Sequence, residues 1–214
     1  MMEDIKQGEP AWFAARLGKA TGSKTADVMM AKSTAGYRNY MAQLTAERLT
    51  GTVEETFCSF DMQRGTELEP VARSLYCFLN NVEVVEVGFV DHPTIEDMGC
   101  SPDGIIGDQE NDFPVGAEYG LIEIKCPKSA QHQDLLLGGK IDGKYTKQMQ
   151  QQMSCTGAAW CDYCSYDPTM PDDLKLKVIR VPRDEKMITE IEEATIAFLG
   201  EVNERVIKLR SLIE

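Results

Sequence analysis

Histidine is scarce in this sequence, since His92 and His132 are the only two among 214 residues. Neither has a partner at the spacing of metal ligands. Enzymes that activate a nucleophile through imidazole need a histidine beside that nucleophile and an orienting carboxylate. The sequence therefore disfavours histidine-based hydrolytic chemistry.

Long apolar stretches are also absent. No segment approaches the roughly 20 consecutive apolar residues that cross a bilayer. Residues 1–10 are polar and lack the apolar centre of a signal peptide. We therefore expect a cytoplasmic protein with no membrane association.

Cysteine pairing is not expected either. The seven cysteines, an odd number, are Cys58, Cys77, Cys100, Cys126, Cys155, Cys161 and Cys164. They are scattered through a chain with no recognisable export signal, so we expect reduced thiols and no disulfide framework.

Positive charge is in deficit, with 22 Lys and Arg against 35 Asp and Glu and a formal net charge of -13. Such a chain is not expected to coat nucleic acid nonspecifically, because phosphate contacts require many cations. It can still hold nucleic acid if its cations line one groove and its carboxylates bind metal ions. With 43% hydrophobic residues the chain can bury a full core, and we expect one domain over residues 1–214.

The first third of the sequence predicts helices. After a small-residue turn, Ser23 is expected to cap a short helix. Apolar residues at helical spacing predict two longer helices, over residues 37–49 with Gly51 as the stop, and over residues 63–79. Pro70 must lie in the first turns of the latter or kink it.

The pattern then changes to strands. Residues 82–90 and 121–125 alternate between apolar and polar side chains, and the stretch between them is rich in turn residues. Such alternation is typical of strands, so we expect the centre of a sheet here.

The last third mixes helices and strands. A helix is predicted over residues 145–156, strands over 160–166 and 174–181, and a long amphipathic helix over 184–212. These elements predict an α/β fold, in which a mixed central sheet is flanked by helices and the long carboxyl-terminal helix packs on the outside.

Two segments carry residue types suited to metal-dependent phosphodiester chemistry. Residues 99–106 contain Asp103 in a Ser-Pro-Asp-Gly turn, and residues 120–127 contain Glu123 and Lys125 in a Glu-Ile-Lys strand. Because side chains alternate on a strand, Glu123 and Lys125 are expected to share one exposed face. If the turn at Asp103 opens a neighbouring strand, the two carboxylates meet in a hard-oxygen site suited to Mg²⁺.

Each of these residue types has a role in such chemistry. Asp103 and Glu123 would hold one or two ions that polarise the scissile phosphate and supply hydroxide near neutral pH. A protonated lysine is no metal ligand, so Lys125 is expected to act electrostatically or as an acid-base group. Either segment alone is an ordinary turn or strand. Their order, with a glutamine-bearing helix behind them, favours the functional interpretation.

Over most of its length the sequence resembles the PD-(D/E)XK nucleases and, among them, the phage lambda exonuclease family of YqaJ-type viral recombinases. Residues 100–104 resemble the family's metal-binding Asp motif, and residues 121–127 its Glu-X-Lys strand. The resemblance implies a restriction-endonuclease-like core and Mg²⁺, with Mn²⁺ as a possible substitute. It also implies that Asp103, Glu123 and the backbone carbonyl of Ile124 bind the metal.

The amino-terminal segment, residues 12–23, is similar to the family motif that grips the 5′ phosphate of a DNA end. The resemblance implies this role for Arg16, Thr21, Ser23 and Ser101. The chemistry is suitable, because a guanidinium makes bidentate phosphate contacts and a hydroxyl with free amides at a helix start accepts an anion.

Two further residues are assigned through the resemblance. Gln148 lies where the family places an active-site glutamine, although it stands in a run of other glutamines. Residues 64–69 are similar to the helix that carries an additional acidic residue near the metals, and the spacing favours Glu69 over Glu67. These two are two positions apart on a helix, so only one is expected to face the site.

The resemblance implies a processive 5′-to-3′ exonuclease that acts on double-stranded DNA ends and leaves 3′ overhangs. It further implies a ring-shaped homotrimer, a single-strand annealing protein as partner, and a phage or prophage origin in a bacterial host. A ring reconciles the acidic chain with DNA, since cations can line its channel. Two alternatives remain: an endonuclease with the same metal site, and a catalytically inactive module that binds DNA ends.

The cysteines offer a competing metal site. Cys161 and Cys164 suggest zinc, but no second pair follows, and residues three apart on a strand point to opposite faces. A related branch of these nucleases carries an iron-sulfur cluster on four cysteines. A cluster bound by Cys58, Cys155, Cys161 and Cys164 is a minor alternative here.

Overall fold

Two β-sheets with helices packed on them form the part of the protein that this computed structural model describes, residues 6–53, 60–107 and 119–213. The strands are β1 (Ala20–Thr21), β2 (Val84–Val85), β3 (Val90–Asp91), β4 (Met98–Cys100), β5 (Gly104–Ile106), β6 (Gly120–Lys125), β7 (Trp160–Tyr166) and β8 (Leu176–Pro182). The helices are α1 (Pro10–Arg16), α2 (Thr25–Val28), α3 (Ala35–Thr50), α4 (Phe60–Asn80), α5 (Ser129–Leu136), α6 (Gly143–Thr156) and α7 (Glu185–Arg210).

The larger sheet has the strand order β2-β5-β6-β7-β8 and is mixed. β6 and β7 are parallel, whereas β5 pairs with β6, and β8 with β7, in antiparallel fashion. A parallel pair needs a long crossover, and α5 and α6 lie in the segment that supplies it. The predicted α/β fold with a mixed sheet is therefore confirmed.

Both faces of the central strand β6 are covered. Leu121 packs against Met153 of α6 on one face, and Ile122 and Ile124 pack with Tyr76 of α4 on the other. Burying these apolar side chains stabilises the fold by roughly 1.5–3 kcal/mol for each residue. The sheet is thus a middle layer between α4 and α6.

The expectation that Glu123 and Lys125 share an exposed face is wrong. They do alternate with the isoleucines, but Glu123 is fully buried and only 27% of the Lys125 side chain is exposed. The reason is the parallel pairing of β6 with β7, because sheets with parallel strands carry helices on both faces.

The smaller sheet places the amino-terminal segment beside the Asp103 turn. β1 runs parallel to β4, and β3 pairs with β4 in antiparallel fashion. Residues 82–90, predicted as one strand, instead contribute β2 to the larger sheet and the start of β3 to the smaller one. Alternation identifies extended backbone, but it does not identify the partner strand.

Several predicted helix boundaries need correction. Ser23 does not cap a helix, since it lies inside a 3₁₀ turn, Gly22–Lys24, and Lys24 is the N-cap of α2. Pro70 lies in the interior of α4 and not in its first turns. The other long helices follow their predicted positions, with Gly51 in a left-handed conformation at the end of α3 and Asp184 accepting the backbone N–H of Met187 at the start of α7.

α7 packs along α3 around Phe198 and Leu199, which confirms the long carboxyl-terminal helix on the outside. Across the described ranges, no helix combines the length and the apolar character that a bilayer crossing requires.

The cysteines do not gather into a cluster. Cys161 packs on the α6 side of the sheet and Cys164 on the α4 side, while Cys155 packs against Cys100. Cys58 lies outside the described residues. The geometry of the described cysteines therefore gives no support to a zinc or iron-sulfur site.

Candidate active site

The turn between β4 and β5 brings Asp103 beside the segment of β6 that carries Glu123 and Lys125. Asp103 immediately precedes β5, and the pairing of Gly104 with Ile122 aligns the two strands. Asp103 Oδ2 accepts the backbone N–H of Ile124 at 2.7 Å. Gly104 leaves room for the strands on both sides of β5, because a Cβ there would lie 2.3 Å from the Val84 side chain and 3.2 Å from the Ile122 side chain.

Both oxygens of the Glu123 carboxylate are held by amides of α6. Gln148 Nε2 donates to Oε1 at 2.7 Å, and Gln152 Nε2 donates to Oε2 at 2.7 Å. The two glutamines are four residues apart, so they lie on the same face of the helix. Lys125 Nζ forms an ion pair with Glu123 Oε1.

The electrostatics of this group favour a bound cation. Burial, followed by the neighbouring Glu123 carboxylate, raises the pKa of Asp103 well above its usual range, while Lys125 and the Ile124 N–H act in the opposite direction. Burial opposes the charged form of Lys125, but Glu123 and Asp103 outweigh it and raise the Lys125 pKa. Two buried carboxylates side by side repel each other unless a cation offsets their charge.

The available donors fit a hard divalent cation such as Mg²⁺. The N–H of Ile124 faces Asp103, and the N–H and C=O of one residue on an extended strand point to the same side, so the Ile124 carbonyl is directed to that side as well. Mg²⁺ usually takes one or two carboxylates and completes its shell with water and substrate phosphates. Among the described residues there is no group of three Asp, Glu, His or Cys side chains arranged to hold a metal ion.

Arg73 of α4 links Glu69 to the Asp103 turn. Its guanidinium binds the Glu69 carboxylate, donates through Nε to the backbone oxygen of Asp103 at 3.1 Å, and pairs with Glu86 at 2.7 Å. Sequence reasoning missed Arg73. The available signal was its spacing of four residues from Glu69, at which side chains meet on a helix.

Glu69 faces the site, whereas Glu67 faces away from it. Burial raises the pKa of Glu69, Lys125 is among the groups that lower it, and Glu123 is among those that raise it. Glu67 is exposed and accepts a hydrogen bond from Gln63 at 3.0 Å. Of the two carboxylates, Glu69 is the one that interacts with Lys125 and Glu123.

The turn that follows β1 packs against α6 next to Gln148. A Cβ at Gly22 would lie 3.5 Å from the Cβ of Cys100 and 3.8 Å from the Cγ of Gln148. Thr21 is buried and its backbone N–H donates to the Tyr40 hydroxyl at 3.0 Å. The amino-terminal motif is therefore next to the residues that hold Glu123.

Trp12 connects Arg16 with Ser101. The Arg16 guanidinium carbon lies 4.0 Å from the centre of the Trp12 ring, and the indole N–H donates to Ser101 Oγ at 2.8 Å. Burial is the main factor that lowers the pKa of Arg16, but a guanidinium stays charged in proteins. Among the described residues the Arg16 guanidinium has no ion-pair partner. Ser23, seven residues further along the chain, is exposed.

Both histidines are held by structural hydrogen bonds. His132 is fully buried between the Ser165 hydroxyl, at 2.7 Å, and the backbone oxygen of Leu174, at 2.8 Å. His92 accepts two backbone N–H groups through Nδ1. Its Nε2 lies 3.0 Å from Ser154 Oγ, which donates to Glu192. In that arrangement the serine proton is directed to the carboxylate and not to the imidazole.

Comparisons with known proteins match this chain to a family model and to solved structures. The YqaJ-like viral recombinase domain matches residues 11–159. An alkaline exonuclease from Laribacter hongkongensis, LHK-Exo, is 47% identical, with a TM-score of 0.86 over 96% of this chain and 98% of its own. LHK-Exo in complex with dAMP gives a TM-score of 0.85 over the same shares of the two chains.

Two less similar proteins also match this chain, one in structure and one in sequence. A phage-related exonuclease from Haemophilus somnus 129PT is 15% identical, with a TM-score of 0.65 over 89% of this chain and 96% of its own, and shows the same fold. The uncharacterized protein R354 of Acanthamoeba polyphaga mimivirus is 32% identical over 114 residues. That match covers 50% of this chain but only 20% of the viral protein.

Proposed function

The chain belongs to the YqaJ-like viral recombinase family, and from this membership and the geometry of its site we propose that it is a metal-dependent exonuclease of double-stranded DNA. The observation that carries the proposal is the buried carboxylate pair, Asp103 and Glu123, beside the ammonium of Lys125. The 47% identical LHK-Exo, which aligns over nearly its whole length, is an alkaline exonuclease.

The residues of the site divide the chemistry among them. Mg²⁺ or Mn²⁺, held by Asp103, Glu123 and the carbonyl oxygen of Ile124, would polarise the scissile phosphate and activate water. Lys125 offsets the negative charge that develops on the phosphate. Glu69, whose pKa is raised by burial, adds a third carboxylate beside the proposed metal ligands and is held there by its ion pair with Arg73.

Gln148 has a different position from these charged groups. It is only partly buried, it donates to Glu123, and it lies against the turn at Gly22. We propose that it holds the Glu123 carboxylate on the side from which DNA approaches. It therefore links the metal site to the segment that binds the DNA end.

We further propose that Arg16, Thr21, Ser23 and Ser101 receive the 5′ phosphate of the strand to be degraded. Support comes from the guanidinium of Arg16, which has no ion-pair partner in the part of the chain that the structure describes, and from the Trp12 indole, which contacts both that guanidinium and the Ser101 hydroxyl. A guanidinium and a hydroxyl that both contact the Trp12 ring suit a terminal phosphate. Binding at a 5′ end would set the direction of degradation as 5′ to 3′.

The wider role is also a proposal. A ring-shaped homotrimer would enclose DNA, make digestion processive, and deliver 3′ overhangs to a single-strand annealing protein in phage-type recombination within the bacterial cytoplasm. An acidic chain of net charge -13 is compatible with a ring if its cations face the channel. Light scattering of the purified protein should give three times the 23.9 kDa of the chain.

Digestion of linear duplex DNA tests the exonuclease proposal. The protein is expected to degrade the 5′-phosphorylated strand in Mg²⁺, to stop in EDTA, and to resume when excess Mg²⁺ is restored. Closed circular DNA in the same reaction should remain intact, because it offers no end. A cut circle would instead identify an endonuclease, and binding to ends without digestion would identify an inactive end-binding module.

Replacing Arg16 with alanine should weaken the preference for 5′-phosphate over 5′-hydroxyl ends. A hydrogen bond to a charged group contributes about 1.5–3 kcal/mol, so the preference should fall at least about tenfold. Initial rates on the two substrates measure it. Arg38→Ala, which removes an exposed arginine of α3, is the matched control, and an unchanged preference in Arg16→Ala would refute the assignment.

A further inference from the structure

Three consecutive glutamines of α6 are buried, each with 1% of its surface exposed. Gln150 donates to the backbone oxygen of Pro182 and accepts the N–H of Asp184, both at 2.9 Å. Gln151 donates to backbone oxygens of the smaller sheet. Of the three, Gln152 is the one whose amide reaches Glu123.

We propose that Gln152 is a positioning residue that fixes the Glu123 carboxylate in its metal-binding orientation. This inference rests on the proposed function, which assigns Glu123 to the metal. Rotation of a glutamate carboxylate about its last torsion is loosely constrained. One donor on each oxygen, from Gln148 and Gln152, removes that freedom before a metal ion arrives.

The unpaired oxygen of Gln152 supports this role. Gln152 Oε1 is inaccessible and has no hydrogen-bond partner within the described residues. A buried acceptor without a donor is unfavourable, yet turning the amide over would place that oxygen against Glu123 Oε2. The carboxylate therefore fixes the amide orientation, and the local fold tolerates the unpaired oxygen.

Burial separates the tasks of the two glutamines. Gln148 is partly exposed and lies beside Gly22, in the segment proposed above to receive the DNA end. Gln152 lies one helical turn deeper and is shielded from solvent, so it cannot touch DNA. Any effect of Gln152 on the reaction must pass through Glu123.

The test compares Gln152→Met with Gln150→Met, because methionine keeps the length of glutamine but has no amide donor. Mn²⁺ binding is measured on DNA-free protein from the electron paramagnetic resonance signal of free Mn²⁺, and melting temperatures are recorded against Mg²⁺ concentration. Gln152→Met should need about tenfold more Mn²⁺ for half-saturation, as is usual when a partner of a metal ligand is lost. Gln150→Met should bind Mn²⁺ like wild type even if it melts earlier in EDTA. Gln152→Asn, which retracts the amide by one carbon, gives the same comparison if the methionine variant does not fold.

The outcomes separate this inference from the nuclease proposal. Equal Mn²⁺ affinity of Gln152→Met and Gln150→Met would overturn the role of Gln152, whether or not the wild type digests DNA. A tenfold loss confined to Gln152→Met would support it even if the wild type left every DNA substrate intact, which would count against the nuclease alone. A wild type that binds neither Mn²⁺ nor Mg²⁺ would overturn both.

Discussion

Replacing Asp103 with asparagine is expected to lower the rate of DNA digestion by at least about a thousandfold without lowering the stability of the metal-free protein. A metal ion stabilises the transition state by several kcal/mol, and each 1.36 kcal/mol is a factor of ten in rate. Asparagine keeps an oxygen that can accept the Ile124 N–H. It removes a buried charge that lies against Glu123, so the metal-free protein loses a repulsion.

The pH dependence of stability gives this prediction a second readout. The pKa of Asp103 in the folded protein lies well above its ordinary value, so the folded state binds more protons than the unfolded state. The contribution of Asp103 to the stability of the metal-free wild type should therefore fall as pH rises above about 4 towards the raised pKa. Asp103→Asn lacks this contribution and should be at least as stable as wild type at pH 8.

Urea unfolding in EDTA at pH 5 and pH 8, repeated with Mg²⁺, measures both effects. Mg²⁺ should stabilise the wild type, since it binds only the folded state, and should have little effect on Asp103→Asn. Asp172→Asn, at an exposed carboxylate paired with Lys175, should keep full digestion. An active Asp103→Asn, or one that is less stable than wild type at pH 8, would contradict the assignment.

The strand that carries Glu123 and Lys125 could be predicted from sequence, but its environment could not. Alternation in residues 121–125 reports which side chains share a face, and β6 forms there as expected. Whether that face is solvated depends on α6, whose Gln148 and Gln152 lie 25 and 29 positions beyond Glu123. The burial of Glu123, and with it the raised pKa of Asp103, follows from that distant packing.

The residues that hold the carboxylates of the site in place were harder to predict from the sequence than the carboxylates themselves. Gln152 and Arg73 reach their partners across 29 and 30 residues of sequence, a separation at which local pattern carries no information. Glutamine in the middle of a helix is normally a solvated residue. Gln148 could be identified from the sequence because it matches a family motif. The proposed role of Gln152 instead depends on its position one helical turn deeper in the protein than Gln148, which the sequence does not show.

Lys125→Ala should separate metal binding from catalysis. Its ammonium is ion-paired with Glu123, so its removal deletes a cation that competes with Mn²⁺ for the same carboxylate. Mn²⁺ affinity should therefore stay the same or increase. Digestion should fall by roughly 10²–10⁴, the usual contribution of a positioned acid-base or charge-stabilising group, because the bound metal ion alone then has to offset the charge that Lys125 shares in the wild type.

The matched control is Lys175→Ala, which removes a lysine that also pairs with a carboxylate, Asp172, but in an exposed turn. It should digest DNA and bind Mn²⁺ like wild type. If Lys125→Ala lost Mn²⁺ binding together with digestion, the ammonium would be needed to assemble the metal site. If it kept digestion, Lys125 would be only a counter-ion of the metal-free protein. If Lys125→Ala loses digestion but keeps Mn²⁺ binding, the role of Lys125 is charge stabilisation or proton transfer at the phosphate. Asp103→Asn cannot reveal that role, because it is expected to lose both metal binding and digestion.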